Sequence, residues 1–81
     1  MRLDKFLKVS RLIKRRTVAS SVAESGRIFV NGNPAKPAKQ LKVGDIIEIE
    51  YANKAEKYEV LIVPQGNVSI QDSGTLYKIR N

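Results

Sequence analysis

The residues of this chain that could do chemistry are cationic, and they crowd into its first sixteen positions. Seven side chains in this segment are lysine or arginine, against the single carboxylate of Asp4. They are Arg2, Lys5, Lys8, Arg11, Lys14, Arg15 and Arg16. The segment carries +6 of the formal net charge of +7, and the other residues carry +1. A local field of one sign attracts a polyanion, so the predicted chemistry is the binding of phosphate groups.

Catalysis is not expected from the remaining polar residues. The sequence has no histidine and no cysteine, which removes the usual general base at neutral pH and the commonest metal ligands. A serine and lysine pair at Ser10 and Lys14 favours a plain helix surface over a nucleophile. The acids between residues 48 and 59 alternate along a predicted hairpin, as on the wet side of a sheet. No glycine-rich phosphate loop occurs. We expect no enzyme, no cofactor and no metal.

Length and composition predict a small globular domain. A chain of 81 residues forms one domain at most and buries only about 60% of its unfolded surface, so a large cavity is not expected. No apolar run approaches the roughly 20 residues of a membrane span, and the charged N-terminus lacks the apolar core of a signal peptide. We therefore expect a soluble cytoplasmic protein.

Two helices are predicted to position the cationic residues. At about 100° per residue, a helix over residues 2–9 separates an apolar side from a cationic one. The apolar side contains Leu3, Phe6, Leu7 and Ser10, and the cationic side contains Arg2, Lys5 and Lys8. A break follows, and then a second helix with Thr17 as its N-cap and Gly26 as its stop. Its predicted apolar stripe is Val18, Ala19, Val22 and Ala23.

After Gly26 the apolar period becomes two, which predicts strands. Asn31-Gly32 is the strongest two-residue hairpin signal, and Pro34 places the short return arm at a sheet edge. Residues 35–42 are predicted to be an irregular crossing with three lysines. A second hairpin joins strands over residues 46–51 and 57–63. Residues 67–74 are weakly patterned, and residues 75–79 form a last short strand.

Three interpretations of the basic segment compete. Arginines before a helix are often merely solvated, and a basic amphipathic helix can lie on an anionic membrane. The third is nucleic acid. Phe6 is expected in the core and Phe29 on the hairpin, so little aromatic surface remains for base stacking. Recognition of a folded RNA by shape and backbone therefore fits better than capture of a single strand.

The sequence resembles the RNA-binding domain named after ribosomal small-subunit protein S-four. The resemblance rests on four motifs in order over roughly residues 1–49. They are Arg2-Leu3-Asp4-Lys5-Phe6-Leu7, Arg15-Arg16-Thr17, Gly26-Arg27-Ile28-Phe29-Val30-Asn31-Gly32, and Lys36-Pro37 followed by Val43-Gly44-Asp45-Ile46-Ile47. Within that family the chain is most similar to the group of small bacterial heat-shock RNA-binding proteins and ribosome-associated quality control factor P.

This resemblance implies a role on the ribosome. Members of the group bind the large ribosomal subunit carrying stalled peptidyl-tRNA. Factor P contacts a helix of large-subunit rRNA and the tRNA, and supports C-terminal alanine tailing of the nascent chain by a partner elongation factor. By motif position, Arg2 and Arg16 are expected to contact RNA most directly, and Asp4 to orient a neighbouring arginine. The full set of expected RNA-binding residues is Arg2, Lys5, Lys8, Arg11, Lys14, Arg15, Arg16, Thr17, Asn31 and Gly32.

The sequence as a whole predicts an α+β fold, with two N-terminal helices packed on a small, mostly antiparallel sheet. It predicts one domain over residues 1–81, with a motif core over residues 1–49 and a C-terminal β extension. The expected protein is a monomeric, non-catalytic factor of ribosome-associated quality control that touches no membrane. Two alternatives stay open, namely a structural or assembly protein of the ribosome and the RNA-targeting module of a separate modifying enzyme.

Overall fold

Two N-terminal helices pack against one side of a five-stranded antiparallel sheet in the computed structural model, which describes residues 1–66 and 68–80. The elements in chain order are α1 (Leu3–Val9), α2 (Arg16–Glu24), β1 (Ile28–Val30), β2 (Asn33–Pro34), β3 (Ile46–Glu50), β4 (Ala55–Val60), α3 (Ile70–Ser73) and β5 (Tyr77–Arg80). The strand order is β2-β1-β3-β4-β5, and every pairing is antiparallel. The predicted α+β class is confirmed.

The apolar side of α1 is the centre of the core. The side chains predicted to pack are all buried, with Leu3, Phe6 and Leu7 fully inaccessible and Ser10 only 2% exposed. They form one cluster with the inward side chains of the sheet, which include Ile28, Val30, Ile47, Ile49 and Val60. Arg2 and Lys8 are exposed on the solvent side of α1. The helix is therefore fixed by its apolar positions, and Arg2 and Lys8 stay at the surface.

The second helix begins earlier than the sequence predicts. Arg15 is the extended N-cap residue and Arg16 the first helical residue, so the assignment of Thr17 as N-cap is wrong. Ala19 and Ala23, four residues apart, are the buried positions, whereas Val18 is 44% exposed and does not belong to the packed stripe. The small alanines allow α2 to approach α1 closely. Gly26 has φ +84° after the last turn and ends the helix as predicted.

The first hairpin has the predicted turn. Asn31 (φ 53°) and Gly32 (φ 85°) both lie in the left-handed region, as a type I′ turn between right-twisted strands requires. The Asn31 side chain also joins the hairpin to β3. Its Oδ1 accepts from the Ile46 N–H (2.9 Å), and its Nδ2 donates to Asp45 (3.1 Å).

The C-terminal half departs most from the prediction. β4 covers Ala55–Val60 rather than residues 57–63, because the N–H groups of Leu61 and Ile62 both donate to the carbonyl of Leu76 and the regular ladder ends there. The short helix α3 was not predicted, although Ser69 caps it by accepting from the N–H of Asp72 (3.3 Å). Asn67, the first residue of the weakly patterned stretch, lies outside the described residues.

Tyr58 lies in a cluster of three tyrosines on the sheet. It is buried on β4, with the Tyr51 hydroxyl 3.4 Å from its own and the ring of Tyr77 edge-on at 5.5 Å. Burial, and then the hydrogen bond with Tyr51, raise the pKa of the Tyr58 hydroxyl well above its usual value. Across the described residues no helix is long and apolar enough to cross a membrane.

Candidate RNA-binding interface

Asp4 is the buried acid around which the cationic segment is arranged. Its side chain is only 5% exposed, and its Oδ1 lies 3.2 Å from Arg2 Nε and 3.6 Å from Arg16 Nη2. The Arg2 Nη2 also donates to Asp4 Oδ2 (3.3 Å), and the backbone N–H of Lys5 donates to Oδ1 (2.8 Å). One carboxylate therefore holds an arginine from the start of α1 beside an arginine from the start of α2.

The two anchored arginines still face solvent. Their side chains are 47% and 48% exposed. Asp4 occupies the Nε and Nη2 edge of Arg2, so a phosphate would approach that guanidinium from its Nη1 side. Arg16 Nη2 lies 3.6 Å from Asp4 Oδ1, farther than the two hydrogen bonds from Arg2, so more of its five N–H donors are available. Arg16 is thus better placed than Arg2 for bidentate phosphate binding.

The starts of the two helices differ in how their backbone donors are used. In α1 the N–H of Leu3 donates to the Lys39 carbonyl (2.8 Å) and the N–H of Asp4 to the Pro37 carbonyl (3.1 Å). In α2 no side chain caps the first turn, and no acid lies in it. Within the described residues the N–H groups of residues 16–18 have no protein acceptor. The start of α2, flanked by two arginines, therefore suits an external anion.

The turn between the helices contains an arginine with a strained backbone conformation. Arg11 has φ +62°, one of two non-glycine residues with positive φ in the described chain. Its N–H donates to the Lys8 carbonyl (3.0 Å), which closes the end of α1. A side chain in this conformation costs on the order of 1 kcal/mol. Such outliers cluster at functional sites, which fits the prediction that Arg11 contacts RNA.

The other predicted residues fall into three groups. Lys8, Lys14, Arg15 and Thr17 are exposed, and none of the first three has a carboxylate partner within the described chain. Lys5 is partly buried and lines a surface groove of about 300 Å³ with Met1, Val63, Pro64 and Gln65. The Asn31-Gly32 turn is exposed, but its amide is engaged by Asp45 and Ile46.

The structure therefore brings together only part of the predicted set by direct contact. Asp4 joins Arg2 and Arg16, whereas in the described chain no hydrogen bond or ion pair connects the Asn31-Gly32 turn to either helix. Sequence reasoning did not place residues 35–42 at this site, although their backbone lies along the start of α1. The three lysines of this segment were the signal in the sequence that could have indicated its role.

Among described residues no group of three acids could hold a metal ion.

An α+β domain with an anchored arginine pair and unpaired cations around an open helix start has the features of a non-catalytic RNA-binding module. Residues 1–47 match the S4 domain family. The chain is 50% identical over 80 residues (99% of this chain, 90% of the relative) to the RQC P-site tRNA stabilizing factor of Halalkalibacterium halodurans.

A second relative with the same description, from Streptococcus pneumoniae, is 51% identical over 79 residues, covering 98% of this chain and 89% of its own. Among solved structures, the trimeric structure of Vibrio cholerae Heat Shock Protein 15 superposes with a TM-score of 0.88 at 26% identity, covering 99% of this chain and 81% of that one. The chain belongs to the S4-domain family and, within it, to the group of RQC P-site tRNA stabilizing factors.

Proposed function

We propose that this protein is an RNA-binding factor of ribosome-associated quality control that stabilises tRNA in the ribosomal P site. The relatives described above carry that function in their names. The observation that carries the proposal in the molecule is the Asp4 anchor, which presents the half-exposed guanidinium groups of Arg2 and Arg16 together. Paired arginines held in a fixed orientation lose little further freedom on binding phosphates.

In the finer form of the proposal, the protein binds rRNA of the large subunit and the peptidyl-tRNA stalled on it. There it supports alanine tailing by a partner elongation factor. Arg16 and the free side of Arg2 bind phosphates, and Lys5 and Lys14 act as point charges. Arg11 and Arg15 extend this contact on both sides of the helix turn. Thr17 is exposed in the first turn of α2, and its hydroxyl donates to the same RNA backbone.

The surface supports recognition by backbone and shape rather than by stacking. Phe6 is fully buried and Phe29 is half-buried on β1. The exposed cations of the first sixteen residues are interleaved with no accessible aromatic ring. Contacts of this kind fix the orientation of an RNA without reading its bases.

The proposal includes a cytoplasmic monomer, with residues 1–49 as its RNA-binding core and the rest as a β extension. The Vibrio cholerae relative was solved as a trimer, so the monomer needs its own measurement. Light scattering on the purified protein at micromolar concentration is expected to give the mass of one chain, 9.1 kDa. A trimer mass would contradict this part.

The central test compares Arg16→Ala with Arg80→Ala. Both changes remove one half-exposed arginine from a carboxylate partner, but Arg80 pairs with Glu59 on the outer side of the sheet (3.1 Å). We expect Arg16→Ala to weaken binding to large subunits carrying P-site tRNA. The slope of log affinity against log salt should flatten by roughly 0.7 to 0.9.

Equal effects of the two variants would contradict the assignment of the site. Sedimentation of cell extracts tests the assignment of function. A quality-control factor is expected on large subunits and stalled complexes, whereas a structural ribosomal protein would follow every ribosome.

A further inference from the structure

The crossing between β2 and β3, which we term the lysine loop (residues 35–42), is a second concentration of positive charge. It contains Lys36, Lys39 and Lys42 and no acid. Residues 1–16 carry +6, the lysine loop +3, and all other residues together −2. The whole positive excess of the protein is thus confined to two segments, which are separated in sequence by α2 and the first hairpin.

The fold places these two segments side by side. Arg2 forms an antiparallel bridge with Gln40, so their Cα atoms are about 4.5 to 5.5 Å apart. The N–H of Leu3 donates to the Lys39 carbonyl (2.8 Å), and the N–H of Leu41 to the Met1 carbonyl (2.9 Å). The backbone at Lys39 therefore lies next to the segment that contains Arg2 and Asp4.

The lysine loop is held rigidly although it contains no helix or strand. Ala35, Pro37 and Leu41 are buried. The N–H of Lys39 donates to the Lys36 carbonyl (3.0 Å), and the N–H of Lys42 donates to Asp45 Oδ2 (2.9 Å). The loop thus alternates buried anchors with exposed lysines, and its cations stand at defined positions rather than on a mobile segment.

These lysines are largely without partners. Lys36 comes only within 3.9 Å of Glu24, and both side chains are highly exposed, so the pair contributes little. Within the described residues neither Lys39 nor Lys42 has a carboxylate within 4.0 Å. Gathering unpaired cations beside Arg2 raises the electrostatic energy of the free protein. A polyanion that bridges the two segments relieves it.

We propose that the lysine loop binds a second stretch of RNA backbone beside the stretch held by Arg2 and Arg16. This inference rests on the proposed function and deepens it, because it assigns a second contact with RNA backbone to residues outside the first sixteen. The carbonyls of Pro37 and Lys39 accept from the first N–H groups of α1, so the lysine loop lies at the start of α1. Its contact with RNA is therefore separate from the anion site at the start of α2.

The test compares the double variant Lys39→Ala/Lys42→Ala with Lys57→Ala/Lys78→Ala. All four lysines are exposed. In the control pair, Lys57 precedes the buried Tyr58 on β4, and Lys78 lies opposite Glu59 on β5, so both are on the outer side of the sheet. Affinity for large subunits is measured over a range of salt, with and without P-site tRNA. We expect weaker binding and a salt slope flattened by roughly 1.5 for the loop variant, with unchanged melting temperature. The control should match the wild type.

The outcomes separate the two proposals. If the loop variant loses affinity only for subunits that carry P-site tRNA, the second RNA backbone belongs to the tRNA. If it loses affinity for subunits with and without tRNA, the second backbone belongs to rRNA. If the wild type binds, Arg16→Ala weakens it and the loop variant equals its control, the loop inference is overturned and the proposed function stands. A wild type that does not bind overturns the proposed function itself. A photo-crosslinking residue at Lys39 should label RNA; labelling of ribosomal protein alone would also overturn the inference.

Discussion

Replacing Asp4 by asparagine sets two effects of the carboxylate against each other. The amide keeps the size of the side chain but removes the charge that holds Arg2 and Arg16. One nitrogen donor then faces the guanidinium groups where a carboxylate oxygen accepted. If Asp4 only adds negative charge near RNA, its loss should tighten binding. If Asp4 orients the arginines, its loss should weaken binding.

The magnitudes favour the second outcome. Removing one negative charge about 6 Å from a phosphate gains roughly 0.7 kcal/mol at the dielectric constant of water. Releasing two arginines adds an ordering cost on binding of about 0.5 to 1.5 kcal/mol for each side chain. The net expectation is about tenfold weaker binding to the ribosomal target. Because both arginines are half-exposed and regain water, we expect only about 1 to 2 kcal/mol of lost folding stability.

The assay measures affinity of Asp4→Asn for large subunits carrying P-site tRNA, and for heparin as a polyanion without defined shape. Binding to the subunit should fall while binding to heparin rises. Glu50→Gln removes an exposed acid at the end of β3 and serves as the charge-matched control. Equal or tighter binding of Asp4→Asn to both ligands would refute the reasoning that Asp4 positions the arginines.

Two further predictions concern strain and titration. Arg11→Gly should raise the free energy of unfolding by about 1 kcal/mol, because glycine adopts φ +62° freely. The same change should weaken RNA binding, because it removes a cation. Thermal melts and binding assays check the two effects, and a lower melting temperature would contradict the strain. Because the pKa of Tyr58 is raised in the folded state, the contribution of this hydroxyl to stability is fully present below the unfolded pKa of about 10 and is lost as pH rises above it, since the unfolded chain ionises first. Guanidinium unfolding from pH 8 to 11 should show a smaller decline for Tyr58→Phe, and an equal decline would exclude this origin.

The elements that the sequence predicted correctly are those with a local code. The spacing of Leu3, Phe6 and Leu7 is enough to fix the buried side of α1. Asn31-Gly32 specifies its turn because two consecutive residues must adopt positive φ. These features depend on neighbours within a few positions, so no knowledge of the rest of the fold is needed.

The errors have more than one origin, namely local signals that were misassigned or overlooked and a tertiary contact that has no local signal. Thr17 has the chemistry of an N-cap, yet Arg15 occupies the extended N-cap position and the helix starts at Arg16. The start of α3 did carry a local signal, since Ser69 and Asp72 have the spacing of a capping box. The ion pair between Asp4 and Arg16 has no local signal in the sequence, because it joins two helices.

The position of the lysine loop beside Arg2 was unpredictable from periodicity for the same reason. Its bridge joins segments far apart in sequence, and its hydrogen bonds use backbone atoms that every residue type possesses. Composition could only indicate that three lysines lay somewhere between two strands.

The carbonyls of Pro37 and Lys39, which complete the first turn of α1, have a consequence for the order of assembly. During synthesis, the residues that carry Arg2 and Asp4 leave the ribosome long before the loop that secures them. The N-terminal segment therefore waits for the hairpin before its geometry is complete. A growing chain therefore has the finished binding surface only once the lysine loop has followed the hairpin out of the ribosome.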